Sequence, residues 1–161
     1  MRPSGEQYVI AGKIGTHRVE VTIAEVAAAL RSFTVGGIDI VQRYEEGAIP
    51  SLGAGIVMAP WPNRVDHGTW INNGVVEQLD ITEVKHDNAL HGLLRNTAYA
   101  VASRSTNSIT LTATIYAPNG YPFVVETSVT YTITGNGLEV EHTFRNHSTS
   151  PAPVAVGTHG Y

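Results

Sequence analysis

The sequence contains no cysteine among its 161 residues. Disulfide bonds, thiolate metal ligands and a cysteine nucleophile are therefore excluded. Absence of cysteine is compatible with the cytosol. The first residues, MRPSGE, lack the apolar core of a signal peptide, so we expect a cytoplasmic protein. The longest continuous apolar run covers only residues 26–30, far too short to cross a bilayer, so we expect no membrane partner.

Charge is also scarce. Charged residues make up 15% of the chain, the formal net charge is −4, and no basic run is present. A nucleic-acid surface normally needs a basic face, so we expect no nucleic-acid partner. The seven histidines show no His-Glu-x-x-His arrangement, so we expect no metal site. No glycine-rich phosphate loop precedes a helix and no nucleophile elbow is present, so the sequence gives no sign of a nucleotide cofactor or of a serine hydrolase.

What the sequence does contain is strand pattern. Hydrophobic residues make up 42% of the chain, a globular composition. Apolar residues alternate with polar ones over residues 19–23, 108–116, 123–133 and 138–144, with glycine-containing turns between them. Strands with one buried face and one solvent-exposed face are typical of antiparallel sheets, and many short strands suggest a sandwich. We therefore predict an all-β antiparallel β-sandwich, with residues 24–31 as strand, 85–95 as loop and 154–158 as strand.

The candidate functional residues lie beside turn residues in three stretches, MAPWPNRV (58–65), NALHG (88–92) and the final HGY (159–161). Arg64 follows a Pro-Asn turn, and its rigid five-donor fork suits hydroxyl oxygens, although a surface salt bridge is the common role of such a residue. His91 and His159 each precede glycine and could move protons near neutral pH, or could be structural. His142 lies on an apolar row and is predicted to be a satisfied core histidine.

These stretches, together with Gly120-Tyr-Pro and Arg145-Asn-His-Ser, resemble the aldose 1-epimerases, or galactose mutarotases, in order from about residue 36 to residue 161. The resemblance implies a large galactose mutarotase-like supersandwich and no cofactor. It implies a hexose substrate whose α and β anomers interconvert by general acid–base ring opening. By motif, His159 would be the general acid, His91 a second histidine at the ring oxygen, Asn63 and Arg64 the hydroxyl clamp, and Tyr161 part of the pocket wall.

The resemblance also implies an incomplete site. The family's catalytic base is a glutamate in a second half of similar length, and Glu126, Glu139 and Glu141 lie at predicted solvent-facing positions. We therefore expect residues 1–161 to be the N-terminal part of one aldose 1-epimerase-like domain, inactive alone. It would self-associate through open strand edges or pair with the missing half.

Two other interpretations stay open. Trp61 and Trp70 could be stacking platforms of a non-catalytic carbohydrate-binding sandwich. The chain could also be a structural half-domain that completes its sheets by dimerising.

Overall fold

Antiparallel strands dominate the computed structural model, which describes residues 2–161. Two short 3-10 helices, Ser51–Gly53 and Val84–His86, interrupt them. No helix in residues 2–161 is long and apolar enough to span a membrane. The strands are β1 (Gln7–Ile14), β2 (His17–Ala24), β3 (Leu30–Val35), β4 (Ile38–Asp39), β5 (Val57–Met58), β6 (Arg64–Asp66), β7 (Thr69–Asn72), β8 (Val75–Gln78), β9 (Asn88–Leu90), β10 (Ala100–Arg104), β11 (Ser108–Tyr116), β12 (Val124–Thr134), β13 (Gly137–Asn146) and β14 (Gly157–Thr158).

Two four-stranded meanders form the scaffold. Strands β1 to β4 pair in chain order into the first sheet, and β10 to β13 pair in chain order into the second. Every pairing in both sheets is antiparallel. The remaining strands form three two-stranded ladders, β5 with β14, β6 with β9, and β7 with β8. The all-β sandwich prediction is confirmed.

One core joins the two sheets, because the period-2 pattern turns one row of each strand inward. Along β11 and β12, buried residues alternate with half-buried or exposed ones. Tyr131 is fully buried, and its hydroxyl donates to the carbonyl of Ala28 at 2.8 Å. Its buried residues include Ile10, Val19, Val21 and Ile23 from the first sheet and Ile109, Leu111, Ile115, Val125, Val129, Tyr131 and Ile133 from the second.

Three local predictions need correction. Residues 25–29 form a turn between β2 and β3, not strand, because Ala27 and Ala28 adopt φ values of 58° and 46°. Only small side chains fit there, since Ala27, Ala28 and Ala29 are fully buried. Residues 85–95 are not all loop, because β9 pairs with β6. The predicted strand 154–158 shrinks to β14, which pairs with the equally short β5.

The edge strand β13 is less covered than its pattern predicts. Leu138, His142 and Phe144 are half-buried and Val140 is 37% exposed. His142 is not a satisfied core histidine: its Nδ1 is buried without a hydrogen-bond partner among the described residues, and burial lowers its pKa. The reason is its position, since β13 pairs on one side only, with β12.

Candidate functional site

Two of the three two-stranded ladders, β6 with β9 and β5 with β14, bring distant stretches of chain together beside the sandwich. Pairing of β6 with β9 sets Arg64 opposite Leu90, and so carries His91 to the neighbourhood of Asn63. The backbone N–H of His91 donates to the carbonyl of Asn63 at 2.8 Å. Pairing of β14 with β5 then places the chain's last residues on the same side.

Glycine 92 is required by this arrangement. It adopts φ +74°, and a Cβ at this position would overlap the carbonyl group of Ala59. Asn63 and His91 also adopt left-handed backbone, with φ values of 58° and 60°. Such backbone is uncommon outside glycine and clusters at functional sites. The close approach of the two loops therefore fixes where the His91 ring lies.

The two predicted histidines meet. The ring centroids of His91 and His159 are 5.0 Å apart and the rings are nearly perpendicular, at 87°. The Tyr161 ring stacks on the His159 ring: the two ring centroids are 5.0 Å apart and the interplanar angle is 28°. Backbone hydrogen bonds hold His159 in place: its N–H donates to Ile56 at 3.0 Å, and its carbonyl accepts from Gly55 at 2.7 Å.

The protonation of His91 follows from one contact. The backbone N–H of Asn63 donates to its Nδ1 at 3.2 Å, so Nδ1 is an acceptor and the neutral ring carries its proton on Nε2. Burial lowers the pKa of His91, and the nearby charges of His159, Arg95 and Arg64 lower it further, against the opposing effect of Glu83. His91 is thereby held as a neutral donor of one Nε2–H.

Arg64 belongs to an ion pair that the sequence did not reveal. Its Nε and Nη2 donate to Glu83 Oε2 and Oε1, each at 2.7 Å, and its Nη1 donates to Asn63 Oδ1 at 2.9 Å. The hydrogen bond from Arg64 lowers the pKa of Glu83 to about 2, with a second contribution from the amide of Asn88. Arg64 therefore forms a salt bridge, which is the common role of such a residue, and also lies beside Asn63, as expected of a hydroxyl clamp.

All five predicted site residues line one cleft of about 590 Å³, which is called the histidine cleft below and lies within the size range of small-molecule sites. Its lining contains both polar and apolar residues. The polar residues are Asn63, Arg64, Glu83, His91, Arg95, Asn96, His159 and Tyr161. The apolar residues are chiefly Val26, Ile49, Pro50, Leu52 and Ile56.

Sequence reasoning missed part of this lining. Glu83, Arg95 and Asn96 lie in polar connecting segments without periodicity, and no pattern distinguishes them from ordinary loop residues. Ile49 and Leu52 are 76% and 80% exposed, so they do not belong to any core row.

The two tryptophans lie elsewhere. Trp61 and Trp70 line a separate apolar hollow of about 270 Å³, together with Tyr121. The indole N–H of Trp70 donates to the carbonyl of Gly120 at 2.7 Å. Neither residue lines the histidine cleft. Across residues 2–161, no group of three or more His, Asp or Glu side chains is arranged to hold a metal ion.

The fold and the cleft together define an all-β protein of the galactose mutarotase-like type. The chain belongs to the aldose 1-epimerase family, whose sequence model, described as "Aldose 1-epimerase", matches residues 12–161. The family resemblance drawn from the motifs is confirmed. A curated relative, the uncharacterized protein YihR of Escherichia coli K12, is 36% identical over 141 residues, which cover 87% of this chain and 46% of YihR.

Solved structures share the fold. The GalM/aldose epimerase homologue from C. elegans superimposes with a TM-score of 0.78 at 20% identity, over 97% of this chain and 50% of that one. A putative aldose 1-epimerase from Escherichia coli K12 gives 0.77 at 15% identity, over 94% and 50%. A galactose mutarotase-like protein from Clostridium acetobutylicum gives 0.76 at 17% identity, over 96% and 54%. The chain thus spans about half the length of these relatives.

Proposed function

We propose that this chain carries the acid side of a mutarotase site, in which a free hexose is opened and closed again on the other face. The hexose binds in the histidine cleft, with Asn63 and Arg64 on its hydroxyls. His159 gives a proton to the ring oxygen, and His91 donates its Nε2–H beside it. The observation that carries the proposal is the meeting of the two histidines with the Asn63–Arg64 pair in one cleft.

The chemistry needs two proton transfers. An acid protonates the ring oxygen while a base removes the proton of the anomeric hydroxyl, and the bond between the anomeric carbon and the ring oxygen breaks. The aldehyde formed rotates about its bond to the next carbon. Reversal of the same proton transfers closes the ring on the opposite face. A neutral, Nε2-protonated His91 can donate a hydrogen bond to a sugar oxygen without itself carrying a positive charge.

The base comes from outside residues 2–161 in this proposal. Glu83 contributes the one carboxylate in the described lining of the cleft. Both of its oxygens already accept hydrogen bonds from Arg64, and a pKa of about 2 makes it a very weak base. Glu126, Glu139 and Glu141 are exposed and do not line the cleft. A second polypeptide segment, of the kind that doubles the length of the relatives, would supply the base.

Open sheet edges offer a place for such a segment. The half-covered apolar row of β13 lies at an edge of the second sheet. Unpaired edges recruit other strands. We therefore propose that the chain either self-associates through these edges or binds the complementary half, and that it works in the cytoplasm. Light scattering during size-exclusion chromatography tests this: a sharp monomer peak at about 17.2 kDa contradicts association.

A non-catalytic sugar-binding role is the second candidate. The cleft described has hydrogen-bonding groups for a hexose but no free carboxylate base, so binding without turnover fits it as well. A stacking role for Trp61 and Trp70 would place the sugar in their separate hollow, outside this cleft.

Polarimetry on freshly dissolved α-glucose or α-galactose separates the two candidates. The chain alone is expected to bind sugar but not to accelerate anomerisation. A chimera that joins it to the part of YihR that it does not match should accelerate anomerisation, and the same chimera with His159→Ala should not. Binding without activity in the chimera favours the second candidate. Full activity of the chain alone shows that its base lies within residues 1–161.

A further inference from the structure

The hydrogens of Arg64 can be counted one by one. A guanidinium has five N–H bonds in a fixed plane. Nε–H and one hydrogen of Nη2 go to Glu83, and one hydrogen of Nη1 goes to Asn63. Three of the five donors are therefore used inside the protein. Two remain, one on each terminal nitrogen.

The Glu83 carboxylate, which accepts two of the Arg64 hydrogens, is itself held by Asn88. Glu83 Oε2 also accepts from Asn88 Nδ2 at 3.0 Å, and Asn88 is 9% exposed. The backbone N–H of Glu83 donates to the carbonyl of Asn88 at 2.9 Å. The Glu83 side chain is only 15% exposed, against 48% for Arg64. The more buried partner thus orients the more exposed one.

The pair also leaves little net charge on its two side chains. A carboxylate with two hydrogen bonds from one guanidinium is a side-on ion pair, which specifies direction as well as attraction. A free arginine would attract any anion from solution. A paired one offers directed N–H groups with little net charge, which suits two neighbouring hydroxyl oxygens of an uncharged ring.

We propose that Glu83 is the positioning residue of this site: it turns Arg64 so that one N–H on each terminal nitrogen serves as a paired donor to adjacent hydroxyls of a neutral pyranose. The proposal rests on the proposed function, since it assigns the recognition step of that same cleft. Glu83 does not touch the sugar in this arrangement. It acts through Arg64.

The test combines a sugar-affinity measurement with a direct view of Arg64. Wild-type chain, Glu83→Gln and Asp87→Asn are labelled with ¹⁵N. Asp87 is the matched control, because it lies on the same segment, pairs with His67 and does not line the cleft. Each protein is titrated with galactose, and solvent exchange of the Arg64 Nε–H is followed by NMR.

In the wild-type chain we expect a protected Arg64 Nε–H signal, because this hydrogen is donated to Glu83. Glu83→Gln should lose that protection, since an amide cannot accept both donors, and should bind galactose about tenfold more weakly. Asp87→Asn should change neither quantity. A set of monodeoxygalactoses, each lacking one hydroxyl, sharpens the result. For one or two of these sugars, the loss of affinity relative to galactose should be smaller in Glu83→Gln than in the wild-type chain. A purely structural ion pair would not cause this difference.

Three results would overturn the proposal. One is rapid exchange of the Arg64 Nε–H in the folded wild-type chain, which needs no variant and so does not depend on whether Glu83→Gln folds. Another is unchanged galactose affinity in a folded Glu83→Gln whose Arg64 signal is lost; this contradicts the positioning role alone. The third, absence of galactose binding by the wild-type chain, contradicts the proposed function as well.

Discussion

The two four-stranded sheets and the cleft beside them are built on different principles. Strands β11 and β12 are nine and eleven residues long, pair without interruption and bury every second side chain. The cleft is held by ladders of two or three residues, by left-handed residues such as Asn63 and His91, and by one glycine contact. Regular pairing stabilises the first region, and a few close contacts position the second.

This difference has a functional meaning. Long ladders with a shared core resist change, because each residue is supported by neighbours on both strands and by the opposite sheet. Short ladders leave side chains such as Arg64 and His159 partly exposed, where a ligand can reach them. Changes in the sheets should therefore alter folding, and changes in the cleft should alter binding.

Leu111→Ala should show the largest effect. Leu111 is fully buried on β11, and removing most of its side chain leaves a cavity, which should lower the free energy of unfolding by about 2–5 kcal/mol. Thermal and chemical denaturation measure this loss. Leu52→Ala is the cleft counterpart: Leu52 is 80% exposed, so stability should change by no more than about 0.5 kcal/mol. Equal losses for the two variants would remove the distinction between the regions.

Gly92→Ala should break the rule that cleft changes spare folding. A methyl group here meets the Ala59 carbonyl, so the loop must move, and His91 moves with it. Gly74 is the matched control, because it also has a positive φ, +85°, but nothing within 4 Å of a new methyl group. Gly92→Ala should cost about 1–3 kcal/mol more than Gly74→Ala and should abolish galactose binding. Similar denaturation midpoints for the two variants would show that the loop yields freely.

The sequence predicted the scaffold better than the site. Alternation over residues 108–116 and 123–133 gives β11 and β12 almost to their ends, because the period-2 pattern is a direct imprint of one buried face. The turn at residues 25–29 was missed because three buried alanines look alike in a strand and in a left-handed turn.

In the site, the motif residues converge as the family resemblance implied, but their partners were not visible. Glu83 acts through a contact across nineteen positions, to Arg64, that no local pattern records. The burial of His91 likewise comes from tertiary packing. A sequence can therefore suggest which groups serve a site, while the hydrogens that remain free for a ligand emerge only from the folded arrangement.

Arg64→Ala should weaken galactose binding by about tenfold, since it removes the two N–H groups left for the sugar. His17→Ala is the control on the first sheet, because His17 is exposed and does not line the cleft. Titration of both variants with galactose, by calorimetry or NMR, provides the comparison. Equal affinities for the two variants would exclude Arg64 from recognition.

The smallest effect concerns two histidines, His91 and His67, whose pKa values should be shifted in opposite directions. Burial and nearby cations lower the pKa of His91, while a hydrogen bond to Asp87 at 2.6 Å and the charge of Asp66 raise the pKa of His67. NMR titration of the ring Cε1–H signals should therefore place His91 below and His67 above the ordinary value of about 6.5. Identical midpoints would contradict both environments.

Because the pKa of His91 is lowered and that of His67 is raised, the two residues affect folding stability in opposite pH ranges. The unfolded chain binds a proton more readily than folded His91, so its contribution to stability is complete above about pH 6.5 and falls as the pH drops below that. For His67 the folded state binds the proton more readily, so its contribution is complete below about pH 6.5 and is lost as the pH rises through the folded pKa.

Protonation of His91 also converts Nδ1 from acceptor to donor and breaks its hydrogen bond with the Asn63 N–H. Galactose affinity should therefore fall on acidification in step with the His91 signal. His67→Gln should leave that pH profile unchanged, because His67 does not line the cleft. An affinity that follows the His67 midpoint instead would place the sugar elsewhere.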